Sequence, residues 1–422
     1  MAKFDTLCVR AGYNPKSGDA NVTPIVQSTT FTYETAQDMA DLFDLKKDGF
    51  FYTRLSNPTN RVLEQKMAAI DDGVGAIACA SGMSATLLSI LNVCNSGDNI
   101  ISSNQIYGGT FNLFKTTLPK YGIVTKFVDP NASFEEINKL VDEHTKIIFA
   151  ETISNPTIVV LDFDKWSKVA KDNNILFFVD NTLSTPALIK VKDFGADVAL
   201  YSSSKYLDGH AVALGGIIVD LGTFNFKNNK RYPEFNVPDE SYHGLVYADL
   251  NKTAFITKCL AQMIRDLGAI MSPMNAFLTN LGIETLGLRM ERTVSNAEKV
   301  AKFLSENKNV EWIHHPSLKT DPYYGIANKY MPKGVTGMMA FGVKGGRAKA
   351  VKFMENLKMI KMVTHVADSR TCVLHPASTT HRQLSDLDLK KAGIPDNLIR
   401  LSVGIDDVED IINDLSQALE NI

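Results

Sequence analysis

Cysteine is scarce in this chain: Cys8, Cys79, Cys94, Cys259 and Cys372 are five among 422 residues, with no CxxC pair and an odd total. That argues against a disulfide framework and a thiolate metal site, and the five read as reduced thiols. A surplus of positive charge is also missing. Lys and Arg number 44 against 47 Asp and Glu, and no stretch gathers them into the basic stripe that a phosphate-backbone binder needs. Nucleic acid is therefore not an expected partner. No apolar run approaches the roughly 20 residues of a membrane span, and MAKFDTLCVRAGYNPKSGD lacks the apolar centre of a secretion signal. A cytoplasmic location with no membrane contact is the expectation.

What is present is an ordinary globular composition, 45% apolar and 22% charged with 27 Gly and 15 Pro, which excludes disorder and collagen-like character. Residues 1–57 are rich in turn formers (Gly12, Pro15, Gly18, Pro24) and carry no sustained period, as expected of an arm that contacts a neighbouring subunit. From Pro58 the pattern changes. Val62, Leu63, Met67 and Ile70 fall at helical spacing.

Apolar runs then predict strands at 76–79, 99–102, 124–128, 146–150, 175–179, 198–201 and 216–219, separated by helical stretches such as ATLLSILNVC and FDKWSKVAKDN. Strands without polar alternation, separated by helices, predict a largely parallel α/β sheet covered on both faces, with function at the carboxyl ends of the strands. An irregular, aromatic stretch (TFNFKNNKRYPEFNVPDESYHGLVY) interrupts this order after Asp220 and reads as a binding loop or partner contact. A helical region follows, and then a smaller α/β unit with strands in GMMAFGVKG and NLIRLSVGI and a closing helix from VEDIINDL. The division expected is an arm at 1–57, a large domain at 58–287 with an insertion at about 224–254, and a C-terminal domain at 288–422.

Gly73-Val74-Gly75-Ala76-Ile77-Ala78 matches the dinucleotide fingerprint GxGxxA, but a helix precedes it and a strand follows, the reverse of what that fingerprint requires. The next turn is better placed. Ser81 can cap a helix starting at Gly82, where free N–H groups and the positive end of the dipole favour an anion. Asp180 ends the run ILFFV, and a carboxylate leaving a buried strand calls for a positive group against it. On the neighbouring strand, three serines deliver Lys205, and a lysine enclosed by protein becomes a nucleophile for an aldehyde. An anion cradle, a carboxylate for a protonated ring nitrogen and a lysine for an aldehyde together suit pyridoxal 5'-phosphate.

In YTRLSNPT, ASGMSA, YGGTF, ETISNPT, VDNT, SSSKYLDGH, HPASTTH and RLSVGIDD, in this order over the whole length, the chain resembles the Cys/Met-metabolism family of pyridoxal-phosphate enzymes. The resemblance implies the aspartate-aminotransferase type of α/β fold (fold type I), with a mostly parallel sheet in a large domain and a smaller C-terminal domain. It implies Lys205 as the lysine that binds the cofactor, Asp180 opposite the ring nitrogen and Tyr107 stacked on the ring and assisting proton transfer. Gly82, Met83, Ser202 and Ser204 would hold the phosphate, and Asn155 the ring hydroxyl. Tyr52 and Arg54 would reach into the neighbouring subunit's site, so the resemblance implies a homodimer or homotetramer with shared sites. Arg400 would clamp the substrate carboxylate, with Thr371 beside the substrate. Thr371 and Cys372 depart from the Ser-Leu of many relatives. His375 and His381 suggest a metal pair, but no third ligand is evident and no metal is expected.

The insertion, with PDESYHGL and AFITK, and Gly109 in place of the cysteine common in methionine γ-lyases, resemble the O-acetylhomoserine sulfhydrylase branch. The reaction this implies is replacement of acetate by sulfide on O-acetyl-L-homoserine, giving L-homocysteine for methionine biosynthesis. Methionine γ-lyase and cystathionine γ-synthase chemistry are the alternatives, and a sulfur-carrier protein docking on the insertion is an alternative donor.

Overall fold

The computed structural model describes residues 2–44, 46–380, 382 and 393–422. The apolar runs become β1 (Gly75–Cys79), β2 (Asn99–Ser103), β3 (Val124–Val128), β4 (Thr145–Glu151), β5 (Leu176–Asp180), β6 (Val198–Tyr201) and β7 (Gly216–Asp220). They form one sheet in the order β1-β7-β6-β5-β4-β2-β3. β2 to β6 pair in parallel, while β7 runs antiparallel to both β6 and β1. The absence of polar alternation now has its reason. Ile148, Phe177 and Ala199 pack into one core, and their sequence neighbours Ile147, Phe178 and Leu200 pack into a second core across the sheet.

A second sheet is formed by β8 (Val310–His314), β9 (Met338–Val343), β10 (Lys361–Met362), β11 (Cys372–Leu374) and β12 (Leu398–Ser402), ordered β10-β11-β12-β9-β8. β9 and β12 are the fully buried strands that periodicity predicts; β10 is exposed and β8 only partly buried, so neither leaves an apolar run. The helix Leu286–Glu306 ties the sheets together. Its Leu286, Met290 and Val294 enter the core of the first, and Ala297, Val300 and Leu304 the core of the second.

Two segments differ from their sequence reading. Within residues 1–57 there are two helices, Phe4–Arg10 and Ala36–Phe43. Phe4, Leu7 and Cys8 of the first meet the core of their own chain, an i, i+3, i+4 stripe too short to register as a period. Between it and Pro58, Val22, Ile25, Met39, Phe43 and Tyr52 are exposed.

The insertion also packs against its own chain. Phe226, Tyr232, Phe235 and Tyr247 are buried in the second core. Tyr232 accepts from the Leu176 N–H at 2.9 Å and donates to the Lys146 carbonyl, while Arg231 donates to the Thr145 carbonyl at 2.6 Å. Those partners lie where β4 and β5 begin, so this part of the insertion closes the amino ends of the strands and stands away from their carboxyl ends. Over 224–236, the stretch read as a binding loop or partner contact thus packs into the core of its own chain.

Candidate active site

At the carboxyl edge, β1 leads into Ser81, whose backbone is extended and whose hydroxyl accepts the Ser84 N–H at 3.1 Å to cap the helix Gly82–Leu91. The first turn of that helix lies against the end of β6. A Cβ on Gly82 would stand 2.8 Å from Cβ and 3.1 Å from Oγ of Ser202, and one on Gly216, which opens β7, would stand 2.1 Å from the Ser81 carbonyl oxygen. Two side-chain-free positions thus let three strand ends converge on the helix N-terminus. Gly73, by contrast, is a packing glycine, since a Cβ there would meet Val219 and the Asp220 carbonyl. That accounts for the fingerprint-like sequence.

The charged groups follow from strand register. Asp180 is the last residue of β5 and pairs in register with Glu151, the last of β4. Asp180 Oδ1 accepts the Thr182 N–H at 3.0 Å, and the Thr182 hydroxyl in turn accepts the Ser202 N–H at 2.8 Å. Glu151 Oε1 accepts the Tyr107 N–H at 2.7 Å. Burial pushes the Asp180 carboxyl above its ordinary range, and burial with the neighbouring Asp180 raises Glu151 further. Among the described residues no cationic side chain pairs with Asp180, although a positive neighbour was expected for it. A protonated ring nitrogen is the group that would fit there.

Lys205 follows β6. Burial, then the Arg400 guanidinium, lower its amine to about 8. Its Nζ lies 3.2 Å from Nδ1 of His365. Arg400, on β12 and 7% exposed, donates to Asn155 Oδ1 and to the carbonyls of Thr364 and His365, each at 3.3 Å. Those bonds are long for a guanidinium, so its fork is held in place while a carboxylate remains the better acceptor. Tyr107 is half-exposed, and a Cβ on Gly109 would meet its ring at 2.5 Å. The ring position therefore depends on glycine at 109.

The structure gathers Lys205, Arg400 and Asn155 into one hydrogen-bonded cluster through His365; Asp180 is joined to Ser202 through Thr182, with Gly82 packed against Ser202, and Tyr107 is bonded to Glu151, the register neighbour of Asp180. The Ser204 hydroxyl donates to the Gly215 carbonyl at 3.3 Å and accepts its N–H at 3.0 Å. The first is a long bond that a rotating hydroxyl can exchange for a phosphate oxygen. Met83 is met by the Thr110 hydroxyl, 3.9 Å from its sulfur. The buried Thr371 hydroxyl accepts the Gly404 N–H at 3.0 Å and the residue's own N–H binds Asp406, which pins the turn after β12. Arg54 lies 5.2 Å over the ring of Tyr52 and beside Gly268. His375 is engaged by Ser378 and the Asp396 carbonyl, and His381 lies outside the described residues. No group of three His, Cys, Asp or Glu among the described residues suits a metal. All five cysteines are buried and unbridged, and no helix among the described residues is long and apolar enough to cross a membrane.

Sequence reasoning missed Glu151, His365 and Arg289. Glu151 ends a buried strand as Asp180 does, and the same argument applies to it. Arg289, buried on the bridging helix, donates to the carbonyls of Tyr206 at 2.8 Å and Gly282 at 2.6 Å, fixing the chain just after Lys205. A lone arginine in a helix carries no signal of that.

The parts fit pyridoxal phosphate: an uncrowded helix N-terminus facing Ser202, a buried carboxylate lacking a cation, and an amine held near neutrality. Comparison with known proteins agrees. The family model for Cys/Met metabolism PLP-dependent enzymes matches residues 5–420. The O-acetyl-L-homoserine sulfhydrylase of Leptospira meyeri is 40% identical, covering 100% of this chain and 97% of that protein. The homocysteine synthase of Schizosaccharomyces pombe is 40% identical over 99% and 98%. A crystal structure assigned as an O-acetylhomoserine (thiol)-lyase from Campylobacter jejuni superposes with a TM-score of 0.96 at 38% identity, covering 99% of this chain and 100% of that one. It carries N'-pyridoxyl-lysine-5'-monophosphate at its position 205. On the site's geometry and these likenesses, the chain belongs to the Cys/Met metabolism family of pyridoxal-phosphate-dependent enzymes.

Proposed function

We propose that the protein is an O-acetylhomoserine sulfhydrylase, replacing acetate with sulfide on O-acetyl-L-homoserine to release L-homocysteine and acetate. The observation that carries this is the placing of Lys205, its amine near neutrality, beside the guanidinium of Arg400. The relatives named for this reaction support the choice of substrate.

When bound, the cofactor supplies an aldehyde for amines and a cationic ring that takes up the electron pair left at Cα. The rest falls to the chain. Gly82 and Met83 N–H groups with the Ser202 and Ser204 hydroxyls hold the phosphate, Asn155 faces the ring hydroxyl, and Asp180 holds a proton on the ring nitrogen. Arg400 binds the substrate carboxylate through both ends of its fork. Lys205 Nζ, unprotonated in useful proportion at neutral pH, takes the Cα proton and returns a proton later in the reaction, with the Tyr107 hydroxyl as second carrier.

Tyr52 and Arg54 complete the site of a second copy, in a homodimer or homotetramer. The exposed Val22, Ile25, Met39 and Phe43 around them support an arm covered by a partner. Free sulfide is the proposed donor, and the packing of residues 224–236 at the opposite end of the strands from Lys205 leaves that part of the insertion away from the site.

The test is homocysteine formation from O-acetyl-L-homoserine with and without sulfide. Homocysteine that requires sulfide and vanishes in Lys205→Ala is expected. Release of keto acid without sulfide would assign the chain to the γ-lyases instead.

A further inference from the structure

His365 lies in no motif of the family resemblance, yet it makes the one side-chain hydrogen bond that Lys205 has among the described residues. Its surroundings fix how that bond works. The ring's other nitrogen, Nε2, is buried and has no hydrogen-bond partner among the described residues, so among them the contact with Nζ is the ring's single hydrogen bond. The backbone of His365 is held on two sides, its carbonyl accepting from Arg400 at 3.3 Å and from the Cys372 thiol at 3.5 Å. The ring is thus tethered by β11 and β12 and presented to the turn after β6. Lys205 and Asp208 on that turn, with Asp368 and Arg370 after β10, are the charged groups that bear on it.

We propose that His365 is a positioning residue for Lys205, accepting a hydrogen bond from Nζ whenever that nitrogen is not bound to the cofactor. The inference rests on the reading of Lys205 as the cofactor lysine and holds for any reaction of this family. During turnover the amine leaves the cofactor and becomes an ammonium on taking the Cα proton. An ammonium has only donors, and a buried one without an acceptor is costly. A neutral imidazole 3.2 Å away supplies the acceptor at Nδ1. Burial and the adjacent Lys205 both disfavour a charge on the ring, which keeps that lone pair available.

The experiment reads Lys205 without turnover. Cofactor-free protein is treated with a limiting amine-acylating reagent across a pH series, and the label on Lys205 is followed by peptide mass. The wild-type midpoint is expected near about 8. In His365→Leu the ammonium loses its acceptor, and the midpoint should fall by about one pH unit. His365→Asn, whose side-chain oxygen takes the place of Nδ1, should restore the wild-type midpoint. His365→Gln places its polar end where Nε2 was and should behave as Leu does, giving a second test if Leu impairs folding. With substrate, the Leu and Gln variants should lose kcat about tenfold at unchanged KM. An unchanged midpoint in both Leu and Gln variants overturns the proposal. Labelling is independent of substrate, so a failure of the sulfhydrylase reading leaves this result standing, and cofactor found on another lysine would instead defeat the assignment of Lys205.

Discussion

The two ends of the seven-stranded sheet handle polar groups in opposite ways. At the amino ends, Tyr232 and Arg231 satisfy strand carbonyls and N–H groups and bury aromatic surface. At the carboxyl ends, Asp180 and Glu151 stand as buried carboxylates without cationic partners among the described residues, and Lys205 and Arg400 crowd as neighbouring cations. Charges that would stabilise one another if paired are kept apart. Such an arrangement costs stability and prepares the site for a ligand that brings the missing partners. One end is built to hold the fold and the other to be completed by its cofactor and substrate.

Substitutions at the two ends should separate these roles. Phe235→Ala empties a buried ring site stacked 3.9 Å from Phe226 and should cost about 3–5 kcal/mol in chemical denaturation. KM of the folded fraction should not change; a raised KM would mean that the amino end communicates with the site. Arg400→Lys keeps charge but loses the fork, and about 1.5–3 kcal/mol of carboxylate binding should go with it. That is roughly a 10- to 150-fold rise in KM, with little change in melting temperature. Tyr232→Phe deletes a hydroxyl serving two strands and should cost about 1–2 kcal/mol of stability, again with kcat and KM intact.

The last test is a pH slope. The folded value of Lys205, about 8, lies below the ordinary 10.5, so the unfolded chain holds more protons between those two values. Stability of the cofactor-free protein should therefore rise through that window relative to Lys205→Met, and be level below it. A parallel pair of curves would show that the lysine is not held in a burying environment.

The same contrast explains what could be read in advance. LFFV and IIFA are legible as strands because burial on both faces leaves no polar alternation, and Asp180 and Lys205 stand out by interrupting such burial. β8 and β10 are partly exposed and lack that signature. The N-terminal helix is a single stripe of three residues. His365 and Arg289 act across the fold on segments far away in sequence, and nothing local to either marks the partner. The insertion's irregular backbone carries no period, and the ring contacts of Phe224, Phe226, Tyr232 and Phe235 are what turn it into a lid on the strand starts.

One consequence concerns the order of assembly. β1 is the earliest strand of its sheet in the chain, yet its neighbour is β7, the latest. Until β7 has been synthesised, β1 and the Ser81–Gly82 turn at its end have no edge to join, and the wall supplied by Ser202 stands elsewhere. Such distant pairing slows folding. A nascent chain cut short before Gly216 would have the lysine but not the Ser81–Gly82 turn set against Ser202, the proposed phosphate seat, so on that reading capture of the cofactor certifies that the last strand has been threaded between its two older neighbours.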